Sequence, residues 1–444
     1  MLLTIEKLVY GGDGLARGPD KTVFVPFVLE GEQVEAQFVE ERPGFARAQL
    51  AQIVSSSPKR IEPKCPYFGR CGGCHYQHTG YEHQLEIKSA ILRETLRRIG
   101  KLDWSGEITI HPSPPWNYRN RTRMRVMREP EFSLAYFRFG SHQPLAIAEC
   151  PISSPLINRA IAAINGLGEA PPELTEIEFF ANEDDTRLML QLYLTEFRGG
   201  TKFDDFGRGV ASALHDVSIV FAFSSRVPGS TPEQVPDETQ PPAKRYPFFG
   251  APVLAYRTST SQYRVSAGSF FQTNRHMTET LVSLATGNRS GRMALDLYAG
   301  VGLFTVPLAR NFHRLVAVES GPTSFKDLRH NAPANTKTVE DRVEHFLASR
   351  EAERLRPDFV IVDPPRAGLG ERVARQLAAL AAPRITYVSC DPATLARDLR
   401  VLRDANYIVQ QIHLVDLFPQ TFHMETVIHL FRSNELKFGR QKSI

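Results

Sequence analysis

Cys390 stands in Val388-Ser389-Cys390-Asp391-Pro392, after Asp363-Pro364-Pro365-Arg366 and before His423-Met424-Glu425. A thiol with two carboxylates in one stretch of chain supplies the parts of covalent catalysis: a nucleophile, a group to orient a ligand, and a base for a later proton transfer. Three more cysteines crowd together far upstream as Cys65-x5-Cys71-x2-Cys74, and the fifth is Cys150 in Glu149-Cys150-Pro151. An odd count with this crowding argues against a disulfide framework. The five thiols divide into one for chemistry and a cluster for metal.

A thiolate, not a thiol, attacks, so a lowered pKa is expected at Cys390. Addition of a thiolate to C6 of a uracil ring turns an unreactive C5 into an enolate carbon that can attack a methyl sulfonium. A base then removes the C5 proton and the thiolate leaves. Glu425 is the candidate base, and His423 is its rival by ordinary pKa. Asp363 ends the apolar run Phe359-Val360-Ile361-Val362, where open α/β sheets bind ligands. Asp-Pro-Pro-Arg differs from the Asn-Pro-Pro-aromatic pattern that serves amino-group methylation, which points to a carbon target.

Leu295-Asp296-Leu297-Tyr298-Ala299-Gly300-Val301-Gly302 is a strand running into a glycine turn, and Glu319 ends the next strand, Leu315-Val316-Ala317-Val318. An acid at that tip suits ribose hydroxyls. A dinucleotide fingerprint would want glycine or alanine at Thr305, so a nucleoside without a pyrophosphate, such as S-adenosylmethionine, fits better.

Cys65, Cys71, Cys74 and the distant Cys150 suit a four-iron, four-sulfur cubane. Structural zinc more often takes paired Cys-x2-Cys units; under that alternative His75 and His78 are possible ligands. Arg119, Arg121, Arg123 and Arg125 alternate, which on a strand puts four guanidinium groups on one face and suggests phosphate contact. Tyr118, Tyr136, Phe137 and Phe139 lie nearby as stacking candidates.

The elements that must position these residues fall into three regions. Residues 1–58 read as short strands with glycine turns, a small barrel of the oligonucleotide-binding type. Residues 59–265 read as an α+β region carrying the metal cluster. It holds a helix over 81–99 and strands near 121–127, 132–139, 174–181, 186–195 and 215–223. The proline-rich stretch 228–247 reads as a surface loop. From 266 to 444 strands at 293–298, 314–319, 358–363, 384–389 and 426–431 alternate with helical stretches, the pattern of an α/β, mainly parallel, Rossmann-like sheet.

Length and composition agree with a multi-domain enzyme of the cytoplasm. The chain has 444 residues, 42% hydrophobic and 23% charged, with a net charge of only +4, so any basic surface is local. No apolar run is long enough for a membrane span, and Met1-Leu2-Leu3-Thr4-Ile5-Glu6-Lys7 lacks a signal-peptide core.

Taken together, the motifs resemble those of the class I S-adenosylmethionine-dependent RNA uracil-C5 methyltransferases, which make 5-methyluridine in ribosomal or transfer RNA. The resemblance covers nearly the whole chain. It rests on Cys65-x5-Cys71-x2-Cys74, Tyr118-Arg119-Asn120-Arg121, Phe270-Phe271-Gln272-Thr273-Asn274, Leu295 to Gly302, Asp363 to Gly368, Ser389 to Thr394 and His423-Met424-Glu425. It implies Cys390 as nucleophile and Glu425 as proton acceptor. Gln272, Tyr298, Glu319 and Asp363 become S-adenosylmethionine contacts, and Cys65, Cys71, Cys74 and Cys150 hold a [4Fe-4S] cluster. It also makes the barrel a TRAM domain that binds RNA, and favours 23S ribosomal RNA over a T-loop uridine in tRNA, in a monomeric enzyme. Ser269 departs from the pattern, which has an acid there. A catalytically silent iron–sulfur RNA-binding protein is the rival from another class.

Overall fold

A computed structural model of the chain describes residues 1–195, 201–225 and 252–433; the stretch 228–247 lies outside them. The chain forms two compact units built from separated stretches. One comprises Met1–Ile91, Pro112–Thr278 and Asp416–His423; the other comprises Leu92–His111, Glu279–Val415 and the chain from Met424. Among the described residues no helix is long and apolar enough to cross a membrane.

The first unit opens on the expected barrel. β1 (Leu2–Leu8), β2 (Asp13–Arg17), β3 (Thr22–Pro26), β4 (Gln33–Arg42) and β5 (Phe45–Ser55) close in the order β1-β2-β3-β5-β4. Alternation decides the faces: Leu3, Ile5, Val23, Val25 and Val34 fill the interior. A Cβ at Gly14 would stand 2.3 Å from Val28 Cγ2, so only glycine fits there. Buried Glu32 accepts from Leu29 N and Ser57 N and pairs with Arg60 at 2.6 Å, tying the barrel to the segment that leads into the cysteines. Burial pushes that carboxyl up, but Arg60 and the two amides win and hold it below the usual range.

A six-stranded sheet follows, made of β7 (Arg121–Met127), β8 (Ser133–Phe137), β9 (Pro144–Ala146), β10 (Leu174–Ala181), β11 (Arg187–Leu194) and β12 (Ser218–Ser225). Its order is β12-β11-β10-β7-β8-β9. Two helices, α2 (Pro155–Gly166) and α3 (Thr201–Ala213), pack on one face, where Leu156, Ile157, Ile161 and Val210 join Ile177, Phe179 and Leu190 in one core. These helices were not anticipated within the β-rich reading of this region. The signal for α2 was present: Ser154 caps Ile157 N, Pro155 opens the first turn, and buried residues recur at 156, 157, 160, 161 and 164. A hairpin of β13 (Val253–Arg257) and β14 (Gln262–Ser266) completes the strands of this unit, and α1 (Tyr81–Arg98) begins in it.

The second unit is one eight-stranded sheet. β15 (Gly291–Leu297), β16 (Phe312–Glu319), β17 (Thr336–Glu340), β18 (Phe359–Val362), β19 (Arg384–Ser389), β20 (Tyr407–Val415), β21 (Glu425–Arg432) and the early strand β6 (Ile108–His111) run in the order β17-β16-β15-β18-β19-β21-β20-β6. The first five in that order are parallel; β21 is antiparallel to both its neighbours. Helices α4 (Thr278–Thr286), α5 (Thr305–Leu308), α6 (Pro322–Asn331), α7 (Val343–Leu347), α8 (Arg350–Arg354), α9 (Gly370–Ala379) and α10 (Pro392–Asp404) connect the strands. The four residues of β18 are all buried, as a strand covered on both faces requires. Strand order reverses beside β15, between β16 and β18, and that reversal opens the crevice in which such sheets hold ligands.

Candidate active site

Register alone gathers the sequence candidates. Leu297 pairs with Val318 on one side and Val362 on the other, so the next residues, Tyr298, Glu319 and Asp363, end three adjacent strands. Cys390 follows the end of β19. Ser389 pairs with Thr426, which brings Cys390 opposite Glu425, the first residue of β21.

Local chemistry explains how each is held. Glu319 accepts from Gly300 N at 2.8 Å and Gly321 N at 2.6 Å, so the glycine turn and the acid are locked together with acceptor sites to spare. Gly300 and Gly302 have φ of 55° and 94°, and Tyr298 also has a left-handed φ of 64°, a conformation rarely adopted by a residue with a side chain. Asp391 caps α10 by accepting from Ala393 N at 3.0 Å and Thr394 N at 2.9 Å, and Pro392 suits the first turn. That cap leaves Cys390 half-buried at the strand-to-helix corner.

The loop after Asp363 is pinned to α10. Buried Asp398 accepts from Leu369 N, Tyr387 Oη and Arg397 Nε, while Arg397 donates to Ala367 O and Thr394 Oγ1 to Arg366 O. A Cβ at Gly368 would lie 2.5 Å from Asp398 Oδ2, so the final glycine of Asp363-Pro364-Pro365-Arg366-Ala367-Gly368 is required for this approach.

Electrostatics correct one expectation. The Cys390 thiol is not lowered; burial first, then the Glu425 and Asp363 carboxylates, push it up to about 12, with Arg366 opposing. Glu425 is raised well above its ordinary value by burial and Asp363, again against Arg366. Asp363 is raised to about 7 by burial and Asp296, and Asp296 to about 7 by burial, opposed by a 2.5 Å hydrogen bond from Thr305 Oγ1. Among the described residues, Asp296 Oδ1 has no hydrogen-bond partner. Acids thus gather near these strand ends, Glu319, Asp363 and Glu425 with fully buried Asp296, and Arg366 opposes the shifts of both Cys390 and Glu425. No role for Arg366 or Asp296 was read from the sequence, although both lie inside the motifs quoted. An acid-lined crevice with glycines at one wall suits a cationic nucleoside, and S-adenosylmethionine has that charge and shape.

The comparisons with known proteins agree with this geometry. Residues 251–433 match the profile of the tRNA (uracil-5-)-methyltransferase family. Over 434 residues the chain is 34% identical to an uncharacterized RNA methyltransferase of Aquifex aeolicus, covering 96% of this chain and 97% of that protein. It is 32% identical over 451 residues to the 23S rRNA (uracil(1939)-C(5))-methyltransferase RlmD of Chromohalobacter salexigens, with 100% of this chain and 91% of that protein covered. The chain belongs to the RNA uracil-C5 methyltransferase family. A solved structure, the tRNA (uracil-54, C5)-methyltransferase of Pyrococcus abyssi in complex with S-adenosyl-L-homocysteine, matches with a TM-score of 0.71 at 25% identity, over 96% of this chain and 99% of that one. The second unit is therefore the class I methyltransferase sheet of an RNA uracil-5-methyltransferase.

The remaining candidates lie in the first unit. Gln272 is buried beside Phe271, whose ring packs 4.6 Å from that of Tyr256. His423 packs against Phe418 and Phe422 in that unit. Cys65, Cys71, Cys74 and Cys150 line one cavity of about 250 Å³, walled by Tyr67, Phe68, Tyr136, Phe137 and Ile147, with Arg119 and Glu149 as its charged side chains. None of the cysteines is in a disulfide. Burial pushes Cys71 up to about 11 and Cys74 up to about 12. Among the described residues, no three His, Cys, Asp or Glu side chains form a group that could hold a metal ion.

The arginine strand also departs from expectation. Arg119 precedes β7 and lines the cysteine cavity. The others are paired across the sheet: Arg121 Nε with Glu178 at 2.5 Å, Arg123 with Glu178 at 2.9 Å and Arg125 with Glu176 at 3.0 Å. The anion that this face demanded is supplied by β10, so these three cations are not held in reserve for phosphate.

Proposed function

We propose that this enzyme transfers a methyl group from S-adenosylmethionine to C5 of a uridine in 23S ribosomal RNA, through a covalent bond between Cys390 Sγ and C6, with Glu425 as the base. The observation that carries this reading is the β19–β21 register that sets Cys390 opposite Glu425, beside Asp363. S-Adenosylmethionine supplies the electrophilic methyl group when bound; Tyr298, Glu319 and Asp363 would hold it, and the family resemblance adds Gln272. The rest falls to this chain's own side chains and the uracil.

Cys390 must first lose its proton, which burial and two carboxylates hold on sulfur; Arg366 is the side chain that favours the thiolate. Sγ bonds to C6, and the C5–C6 π pair moves into an enolate over C5 and O4. C5 takes the methyl group. Glu425 then removes the C5 proton, the C–H pair re-forms the C5–C6 double bond, and Sγ leaves as thiolate. A carboxylate raised by burial is the stronger base for that step. The target base must leave its stack for C5 and C6 to be reached from both sides.

Ribosomal RNA is favoured because RlmD proteins align with this chain over nearly its whole length. The same chemistry on a T-loop uridine of tRNA is the second reading, favoured by the activity named for the Pyrococcus abyssi structure. We take residues 1–58 as a TRAM-type RNA-binding barrel, 59–265 as the cluster-bearing region and 266–444 as the methyltransferase domain, in a monomeric protein of the cytoplasm. The four-cysteine cavity fits a [4Fe-4S] cluster: four soft ligands, apolar walls and room for a group larger than one ion. A cubane takes one thiolate at each of four iron corners, so its ligands stand further apart than those of a single ion.

Nucleoside mass spectrometry tests the assignment, after anaerobically purified protein is incubated with S-adenosylmethionine and unmodified 23S rRNA or tRNA. 5-Methyluridine in the rRNA, absent with Cys390→Ala, is the expected result; 5-methyluridine in tRNA alone selects the second reading.

A further inference from the structure

The turn between β20 and β21 is held with unusual completeness. Four consecutive carbonyls in it accept from donors of the first unit: Leu417 O from Asn274 Nδ2, Phe418 O from Lys88 Nζ, Pro419 O from Tyr118 Oη, and Gln420 O from the amides of His75 and Tyr76. Gln84 Nε2 donates to Gln420 Oε1 at 3.0 Å, and Gln420 N donates back to Gln84 Oε1 at 3.0 Å. At the start of the turn, buried Asp416 pairs with buried Lys88 at 2.6 Å and accepts from Tyr81 Oη at 2.9 Å. Gln420 itself sits at φ 69°, a left-handed conformation that a side chain bears only when its surroundings over-determine it.

An ordinary hairpin turn faces water and needs none of this. This one ends at Met424, and Glu425 follows as the first residue of β21. A carboxylate that must meet a C5 proton tolerates little displacement. We propose that the turn is a clamp for the proton-transfer step, and that Gln84 and Gln420 are positioning residues for Glu425. The inference rests on Glu425 being the base. Because His75 and Tyr76 directly follow Cys74, the clamp also joins the four-cysteine segment to the chain leading into that base.

The test uses full-length protein and target RNA. Methyl incorporation, release of tritium from RNA carrying 5-tritiated uridine, and the fraction of enzyme trapped as a denaturation-resistant RNA adduct are followed together. Gln84→Leu is expected to bind S-adenosylmethionine normally and to form the adduct, but to release tritium roughly 100-fold more slowly, so that methylated adduct accumulates. Tyr118→Phe, which removes one hydroxyl, gives the same signature at several-fold, and it serves if Gln84→Leu does not fold. Tritium release within twofold of the parent, or a loss of turnover without adduct, overturns the clamp. Glu425→Gln separates the two ideas. If it accumulates adduct and Gln84→Leu does not, the clamp alone fails; if it turns over normally, the assignment of Glu425 falls and the clamp with it.

Discussion

At the end of β19, Cys390 shares its surroundings with Glu425, Asp363 and Arg366; in the other unit, Cys65, Cys71, Cys74 and Cys150 face one another across a cavity walled by aromatic and aliphatic side chains. Burial raises thiols in both places, to about 12 at Cys390 and about 12 at Cys74. Titration therefore does not separate a nucleophile from a ligand here, but the neighbours do. Cys390 stands among carboxylates that can take up and give back protons, so its thiolate can form and vanish within one turnover. Burial raises Cys65, Cys71 and Cys74 more than nearby amides and arginines lower them, so a bound cation would be needed to keep these thiolates together.

The largest expected effects come from exchanging the two kinds of cysteine for groups that can do neither job. Cys390→Ala abolishes 5-methyluridine formation, a loss of about 10⁴-fold or more, and leaves thermal stability near that of the parent. On the proposed cluster assignment, Cys74→Ala does the reverse: it lowers the melting temperature and removes visible cluster absorbance, while Cys390 still adds to the uracil ring. Differential scanning calorimetry beside the nucleoside assay reads both.

Next is Glu425→Gln, which lowers turnover by about 10²- to 10⁴-fold and leaves RNA covalently attached, as a denaturing gel would show. A pH profile gives a smaller effect with a definite sign. Cys390 and Glu425 are both raised and both must lose a proton before their steps, so turnover climbs with pH through the neutral range and does not fall. Arg366→Met removes the cation that opposes both shifts. It should displace that limb to higher pH and cost about tenfold at pH 7.

The smallest effect is expected at Arg125→Met. Its ion pair with Glu176 is part exposed, so stability changes by about 1 kcal/mol or less, and RNA affinity stays within a factor of about two in a filter-binding assay.

Local pattern revealed much of this chain, although the cap and apolar spacing of α2 went unread. The barrel strands, the strand ends at Asp363 and Glu319, and the strand 384–389 before Cys390 all follow from alternation, apolar runs and glycine turns. The other failures depended on partners distant in sequence. The arginines of β7 read as a phosphate-binding face because Glu176 and Glu178 reach them only through the pairing of β10 with β7. The pKa of Cys390 lies opposite to expectation because burial raises it, and antiparallel β21 adds to this by delivering Glu425 beside it. β6 is four residues long and joins a sheet whose other strands begin at Gly291, which no periodicity could announce. The donors that hold Leu417 to Gln420 come from as far back as His75, so nothing local around 417–420 marks the turn before Glu425 as held.

The central claim is that Cys390 bonds to C6 of the target uridine. RNA carrying 5-fluorouridine tests it most directly, since the C–F bond leaves Glu425 no proton to remove and the adduct cannot resolve. After incubation with S-adenosylmethionine, nuclease treatment and proteolysis, peptide mass spectrometry should find a methylated fluorouridine nucleotide on the peptide containing Cys390. No adduct, or one on any of the other four cysteines, would contradict the account.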